Sequence, residues 1–181
     1  SMMGSLLLDK IVQNKKLSTS EILGQLNNEI IRVLKQETEG EIQDGMDLSL
    51  CIIDKKKKVL HFSGARNGIY VIEGNEVKSY KADMLPAGGS FSKKSKEMNR
   101  SFTSQTIPLK ENSWIMMYSD GFCDQLGGAK MMSMGNTKFE EILQKSILKK
   151  EARQEYLMDE FNQWKGAFPQ VDDLLIIGLQ V

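Results

Sequence analysis

Apolar residues recur at helical spacing in four parts of the chain. Ser18–Glu21 has the sequence of a capping box, and the leucines, isoleucines and valine after it predict a helix over residues 19–37. The same period predicts helices over about residues 138–148 and 151–164, each with an apolar face of aromatic and aliphatic side chains. An amphipathic stretch from about Met2 predicts a further helix at the start of the chain.

Between the helical parts the pattern is that of extended strands. Short runs rich in β-forming residues are separated by turns that contain Gly, Asn or Asp, which predicts a meander of hairpins and an antiparallel sheet. The predicted strands cover residues 46–53, 59–63, 69–72, 76–80, 102–107, 113–118 and 174–179. The last of these strands is almost wholly apolar, and we expect it to be buried.

Two polar segments interrupt the strands. The four lysines at residues 55–58 occupy a predicted hairpin turn, so we expect a solvated tip rather than an anion site. Residues 83–100 combine Pro, Gly, Ser and Lys, which predicts a loop and makes this segment the candidate for a mobile flap. Neither segment is expected to form a regular element.

Composition and charge limit the classes of function. With 181 residues and an apolar fraction of 40%, the chain can build one compact core, and we predict a single domain over residues 1–181. Lys plus Arg and Asp plus Glu both number 24, so no net charge favours a nucleic-acid partner. The apolar runs are far shorter than the roughly twenty residues of a membrane helix, so we expect no membrane contact by this segment.

The cysteines and the histidine narrow the chemistry. Cys51 and Cys123 lack CxxC spacing, which predicts no disulfide framework and fits a reducing cytosol. His61 is the only histidine, which excludes classical zinc sites and any Ser-His or Cys-His pair that does not use it. Its place in a predicted strand is typical of a surface or edge residue. Carboxylates must therefore carry any chemistry.

Acidic residues lie at the ends of two predicted strands. Asp120 follows the strand 113–118 and precedes a glycine, and Asp172 and Asp173 directly precede the last strand. If the two strands are antiparallel neighbours, these acids meet at one rim of the sheet, where oxygen ligation of Mg²⁺ or Mn²⁺ would offset their repulsion. On spacing alone a structural explanation is preferred, with a turn at Asp120 and a strand-start cap at Asp172, because Asp-Gly turns are so common.

A series of motifs in family order favours the metal interpretation. The string WIMMYSDGFCDQLGG at residues 114–128 resembles the "YSDG…DQ.GG" signature of SpoIIE/RsbU-type serine phosphatases, the bacterial branch of the metal-dependent (PPM, protein phosphatase 2C-like) superfamily. Further segments that resemble family landmarks are DGMDLSL at 44–50, FSGARNG at 62–68, LPAGG at 85–89, FNQWKG at 161–166 and QVDD at 170–173. The resemblance covers nearly the whole chain.

The resemblance implies an α+β fold, an antiparallel β-sandwich flanked by helices. It implies that Asp120 and Asp172 are metal ligands, with Asp172 preferred over Asp173, and that the complete domain holds two Mn²⁺ or Mg²⁺ ions. The implied activity is hydrolysis of phosphoserine or phosphothreonine on a partner regulator, of the anti-anti-sigma type by analogy. The implied setting is the cytoplasmic output domain of a bacterial signalling protein. Arg66 replaces the histidine of the family's "AGHN" turn and receives only a minor phosphate-contacting role.

Two motifs of the resembled family are missing from this sequence. The family has a further aspartate, which bridges two metals, in a "GGDFYD"-like motif followed by a "GHG" turn, both before the helix that begins here near Met2. We therefore expect that the N-terminal part of the domain is missing, and that the chain binds metal weakly and turns over slowly or not at all. The alternative is a non-catalytic phosphatase-like module that binds a regulatory partner or forms a homodimer through the surface that the missing strands would have covered, an exposed sheet edge or apolar face.

Overall fold

The structure, a computed structural model, describes residues 2–36, 44–89 and 100–181. The chain divides into two compact units. The first unit comprises Ser1–Gly68 and Lys81–Leu109, and the second comprises Ile69–Tyr80 and Lys110–Val181. The single domain over residues 1–181 stays a prediction.

The described elements alternate between helices and short strands. The α-helices are α1 (Met2–Val12), α2 (Thr19–Val33), α3 (Gly121–Asp124), α4 (Gly135–Ser146) and α5 (Arg153–Lys165). The strands are β1 (Gly45–Met46), β2 (Leu48–Asp54), β3 (Val59–Ala65), β4 (Ile69–Glu73), β5 (Glu76–Tyr80), β6 (Ala87–Gly88), β7 (Gln105–Pro108), β8 (Trp114–Tyr118), β9 (Leu126–Gly127), β10 (Met132–Ser133) and β11 (Ile176–Gln180). A 3-10 helix, Ile147–Ala152, joins α4 to α5.

The first unit is built on a three-stranded antiparallel sheet in the order β2-β3-β7. Helix α2 packs against β3 and carries α1 beside it. Ser18 caps α2 as predicted: its Oγ accepts the N–H of Glu21, and the Glu21 carboxylate accepts the N–H of Ser18. Apolar side chains of both helices form a core with Ala65, Ala87 and Phe102.

The second unit is built on a four-stranded antiparallel sheet in the order β11-β8-β4-β5. Helices α4 and α5 cover it through a buried aromatic cluster. Within the cluster, Phe122 lies between Phe139 and Phe161, with ring centroids 4.6 Å and 5.2 Å away. Because Phe122 belongs to α3, this packing fixes the residues that follow β8.

The predicted α+β class with antiparallel sheets is confirmed, but two details were wrong. The predicted meander is broken after β3, because Arg66 adopts a left-handed conformation and donates its N–H to Asp83 O. Strand β4 pairs with β5 and β8 instead. The last strand is not buried: β11 is an edge strand, and Ile177 and Leu179 on it are half-exposed.

Two predicted segments agree only in part with the described structure. Helix α2 ends at Val33, short of the predicted residue 37. Residues 37–43 and 90–99 lie outside the described residues, and they include most of the predicted flap. In the ranges that are described, no helix combines the length and apolar character needed to cross a bilayer.

Candidate metal site

The two strands that carry the predicted acids are neighbours in the second unit. Strand β8 pairs antiparallel with β11, with Tyr118 opposite Ile176. Beyond the ladder, the N–H of Ser119 donates to Leu175 O at 2.9 Å. The end of β8 therefore lies beside the start of β11, which is the arrangement on which the metal interpretation depended, and Asp120 follows directly.

A glycine allows the two acidic segments to approach each other. A Cβ atom added to Gly121 would overlap the carbonyl oxygen of Asp173 and would touch the carbonyl carbon of Asp172. The requirement is steric rather than conformational, because Gly121 does not adopt a left-handed backbone. The close approach brings the backbone after Asp120 into contact with the Asp172-Asp173 pair.

A third carboxylate, which the sequence analysis missed, joins this region. The single turn of α3 places Asp124 above Asp120, with the Asp124 N–H donating to Asp120 O at 2.9 Å. Partial burial raises the pKa of Asp124, and repulsion by Asp120 and Asp172 raises it further. The signal in the sequence was the four-residue spacing between Asp120 and Asp124, which puts both on one face of a helical turn.

The paired aspartates of the loop differ in their roles. The N–H of Asp173 donates to Asp172 Oδ1 at 2.7 Å, which orients the Asp172 carboxylate. The Asp173 carbonyl oxygen accepts a hydrogen bond from Ser119 Oγ at 2.9 Å. Of these two aspartates, it is Asp172 whose charge helps to raise the pKa of Asp124, after burial and the charge of Asp120. The preference for Asp172 over Asp173 as a ligand stays a prediction.

The donor set is of the kind that Mg²⁺ and Mn²⁺ prefer. All three side chains offer carboxylate oxygens, and a cation between them would relieve the repulsion that raises the pKa of Asp124. However, the described residues contain no group of three or more His, Cys, Asp or Glu side chains close enough to hold an ion as they stand. The carboxylates thus influence each other electrostatically without forming a closed coordination shell.

The structure also shows the surroundings of the other candidates. Burial, followed by repulsion from Asp124 and Asp120, raises the pKa of Cys123 to about 12, so its thiol stays protonated. His61 lies in the first unit, on β3, where its Nδ1 is 3.2 Å from the Oγ1 of Thr106. Arg66 also belongs to the first unit, and its phosphate-contacting role stays a prediction.

Comparison with known proteins identifies the family. The model of the family described as "Stage II sporulation protein E (SpoIIE)" matches residues 1–181. Among proteins with curated descriptions, none matches this sequence significantly. Many solved structures do match.

Three of these structures show how the fold compares. The SiaA-PP2C domain of Pseudomonas aeruginosa matches with a TM-score of 0.84 and 21% identity, covering 99% of this chain and 68% of that chain. A structure of the SpoIIE PP2C phosphatase domain with a fragment of its regulatory domain, from Bacillus subtilis, has a TM-score of 0.70 and 18% identity; 97% of this chain matches 48% of that chain, about half its length. RsbX in complex with magnesium has a TM-score of 0.60 and 14% identity, with coverage of 99% and 73%. The chain therefore belongs to the SpoIIE family, and its fold is similar to that of the PP2C phosphatase domains of SiaA and SpoIIE.

Proposed function

We propose that this chain is a metal-dependent serine/threonine protein phosphatase domain that hydrolyses phosphoserine or phosphothreonine on a partner regulator. One observation carries the proposal: the segment that carries Asp120 and Asp124 adjoins the segment that carries Asp172 where β8 and β11 pair, in a chain of the SpoIIE family. The RsbX structure that shares this fold was solved with magnesium, which supports a divalent cation as the cofactor.

Each acidic residue has a separate task in this proposal. Asp120 and Asp172 hold the cation through carboxylate oxygens, and Asp124 adds negative charge beside them. The cation, when bound, supplies charge neutralisation for phosphate oxygens and acidifies a water molecule. The Cys123 thiol is buried and donates to Asn136 Oδ1 at 3.2 Å, so we give it no part in the reaction, and water is the nucleophile of the proposed hydrolysis.

The biological setting is proposed from the family. The partner is a phosphorylated regulator of the anti-anti-sigma type, and the chain is the cytoplasmic output domain of a bacterial signalling protein. Zero formal net charge supports the absence of a nucleic-acid partner. Because the sequence holds no "GGDFYD"-like motif, the proposal includes weak binding of Mn²⁺ or Mg²⁺ and slow turnover or none.

Calorimetric titration with Mn²⁺ tests the proposal, with hydrolysis of p-nitrophenyl phosphate followed on the same samples. Binding is expected in the wild-type chain and should be lost in Asp120→Asn and Asp172→Asn. The matched control is Asp159→Asn, an exposed aspartate on α5, which should bind like the wild type. The proposal fails if the wild-type chain binds no Mn²⁺, or if the control loses as much affinity as the other two variants.

The exposed edge strand favours a second candidate function, a non-catalytic interaction or dimerisation module. Ile177 and Leu179 on β11 are 49% and 48% exposed. The N–H of Ser119 donates to Leu175 O, and the N–H of Val181 donates to Ser113 O. The backbone groups of Leu175, of Val181 and of every second residue between them therefore point toward β8. The backbone groups of the other residues of β11 point away from β8, where another strand could pair.

Sedimentation over a range of concentrations tests this second candidate. A homodimer through β11 should dissociate on dilution and should be lost in Ile177→Lys, which places a charge on the edge. Lys57→Ala, at the exposed tip of the β2–β3 hairpin, is the control and should dimerise like the wild type. A chain that stays monomeric at every concentration would exclude the homodimer.

A further inference from the structure

The loop that carries Asp172 is tied at one end by a buried glutamine. The side chain of Gln125 is fully buried. Its Nε2 donates to Pro169 O at 3.0 Å, and its Oε1 accepts the N–H of Val171 at 3.3 Å. One carboxamide thus holds a carbonyl and an N–H of the same short segment, and the second of these belongs to the residue before Asp172.

Gln125 is itself held firmly. Its backbone oxygen accepts hydrogen bonds from Trp164 Nε1 at 3.0 Å and from the N–H of Met134 at 3.1 Å. The Trp164 backbone lies so close to Gly127 that an added Cβ there would overlap it. The glutamine therefore connects the Asp172 loop to a packed part of the second unit.

Ser119 ties the other end of the same loop. Its Oγ accepts the N–H of Leu175 at 3.0 Å and donates to Asp173 O at 2.9 Å. Like Gln125, it satisfies one donor and one acceptor of the loop at once. Asp172 thus lies between two points of attachment.

Both attachments come from the segment that carries the other two acids. Ser119 precedes Asp120, and Gln125 follows Asp124. We propose that Ser119 and Gln125 are positioning residues, which fix the Asp172 loop beside Asp120 and Asp124 before any cation binds. The proposal rests on the proposed metal site and adds two residues to it that touch neither metal nor substrate.

The physical argument concerns preorganisation. Binding of a cation to a loose loop would have to order the backbone around Asp172 and bring like charges together. A loop that is already held loses less conformational freedom on binding, so the affinity is higher. Removal of groups that orient metal ligands typically weakens metal binding about 10- to 100-fold.

Gln125 could instead contribute only to the stability of the fold. Gln144 provides the control for this alternative. It makes the same two kinds of bond: Nε2 donates to Asn75 O at 2.7 Å, and Oε1 accepts the N–H of Val77 at 3.3 Å. These bonds tie α4 to the β4–β5 hairpin, at the opposite edge of the sheet from β11. Gln144 is exposed, so Gln144→Met removes the same two kinds of hydrogen bond at a site that is unconnected with the acids.

The experiment compares Gln125→Met with Gln144→Met and the wild type. Hydrogen exchange of the Val171 amide is measured without metal, and the Mn²⁺ dissociation constant is measured by calorimetry. We expect Gln125→Met to speed exchange of Val171 and to weaken Mn²⁺ binding about 10- to 100-fold. Gln144→Met should change neither quantity. Thermal unfolding confirms that each variant is folded at the temperature of the measurements.

Ser119 permits a test with a conservative replacement. Ser119→Thr keeps the hydroxyl, whereas Ser119→Ala removes it. We expect faster exchange of the Leu175 amide and weaker Mn²⁺ binding in the alanine variant, and values close to the wild type in the threonine variant. Equal losses in both variants would mean that packing, rather than the two hydrogen bonds, is what matters at Ser119.

The outcomes separate this proposal from the proposed function. Wild-type affinity and exchange in Gln125→Met would overturn the positioning role even if the metal site is real, and so would an equal loss of affinity in Gln144→Met. If the wild-type chain binds no Mn²⁺, the metal site itself fails. The positioning role for a cation then falls with it, and faster exchange of Val171 in Gln125→Met would leave only a structural tie.

Discussion

The two edges of the four-stranded sheet treat acidic side chains in opposite ways. At the β4–β5 hairpin, the Glu73 carboxylate accepts a hydrogen bond from Lys78 Nζ at 2.8 Å and lies 3.4 Å from Lys110 Nζ. The hydrogen bond from Lys78 is the main cause of the lowered pKa of Glu73. At the β8–β11 rim, partial burial and the charges of two neighbouring aspartates raise the pKa of Asp124 instead.

The difference indicates what each group of charges is for. A carboxylate that is neutralised by lysines of the same chain needs no further partner, and it contributes to the stability of the fold. Carboxylates that repel each other are costly unless something from outside neutralises them, and the described residues place no ion-paired lysine or arginine on Asp120, Asp124 or Asp172. Such repulsion is typical of functional sites, and a divalent cation is the partner that an all-oxygen set favours.

The largest expected effect comes from removing the support of the acidic rim. Phe122 follows Asp120 by two residues and is fully buried between Phe139 and Phe161. Phe122→Ala should lower the free energy of unfolding by about 3–5 kcal/mol, because it leaves a large cavity in the aromatic cluster. Urea unfolding measures this. A loss below about 1 kcal/mol would contradict the view that this cluster anchors α3.

Gly121→Ala should have the next largest effect. The added methyl group overlaps the Asp173 carbonyl oxygen, so the two acidic segments must separate, at a cost of about 1–3 kcal/mol. Mn²⁺ affinity should fall together with stability. Gly24→Ala in α2 is the control: among the described residues its Cβ would meet only Arg100 O, at 3.8 Å, so the helix should become more stable. Unchanged stability in Gly121→Ala would mean that the two segments are not in contact.

Glu73→Gln tests the β4–β5 edge of the sheet, where lysines neutralise the carboxylate. Since the pKa of Glu73 is lowered in the folded chain, its stabilising effect is present above the unfolded pKa and is lost as the pH falls through the folded value. The variant should lose up to about 1 kcal/mol at pH 7 and should show a flatter stability profile in acid than the wild type. Thermal unfolding from pH 7 to pH 3 measures both. An unchanged profile would contradict the assigned ion pairs.

Asp124→Asn should have the smallest effect, and in the opposite direction. A raised folded pKa means that the ionised carboxylate costs stability above that pKa, and this cost is relieved as the pH falls through it. The metal-free variant should therefore be slightly more stable than the wild type at neutral pH. Thermal unfolding in the presence of a chelator measures the difference. A less stable variant would mean that Asp124 plays a stabilising structural part instead.

Local signals predicted much of this molecule correctly. The capping box at Ser18, the hairpin turns and the helical period around Phe139 depend on neighbouring residues, so the chain shows them directly. The pairing of β4 with β8 and the position of β11 at a sheet edge depend on contacts between distant segments, and no local pattern encodes them.

The residues of the candidate site also fall into two groups, those that the sequence indicated and those that required the structure. The positions of Asp120 and Asp172 at strand ends were visible in the sequence, although their convergence required the observed pairing of β8 with β11. Asp124 and Gln125 stood inside the recognised motif without a stated role. The two groups of the Asp172 loop that the Gln125 side chain binds, Pro169 O and the N–H of Val171, lie more than forty residues along the chain, so its role appears only in three dimensions.

The most direct test of the account is to ask which carboxylates respond to a divalent cation. Carboxyl carbon shifts, followed by NMR during a titration with Mg²⁺, report on each aspartate and glutamate separately. The account predicts that the signals of Asp120 and Asp172 move together with a single dissociation constant, while the signal of Glu73 at the opposite edge stays in place. Equal, non-saturating changes at all three carboxylates, or no change at Asp120 and Asp172, would contradict it.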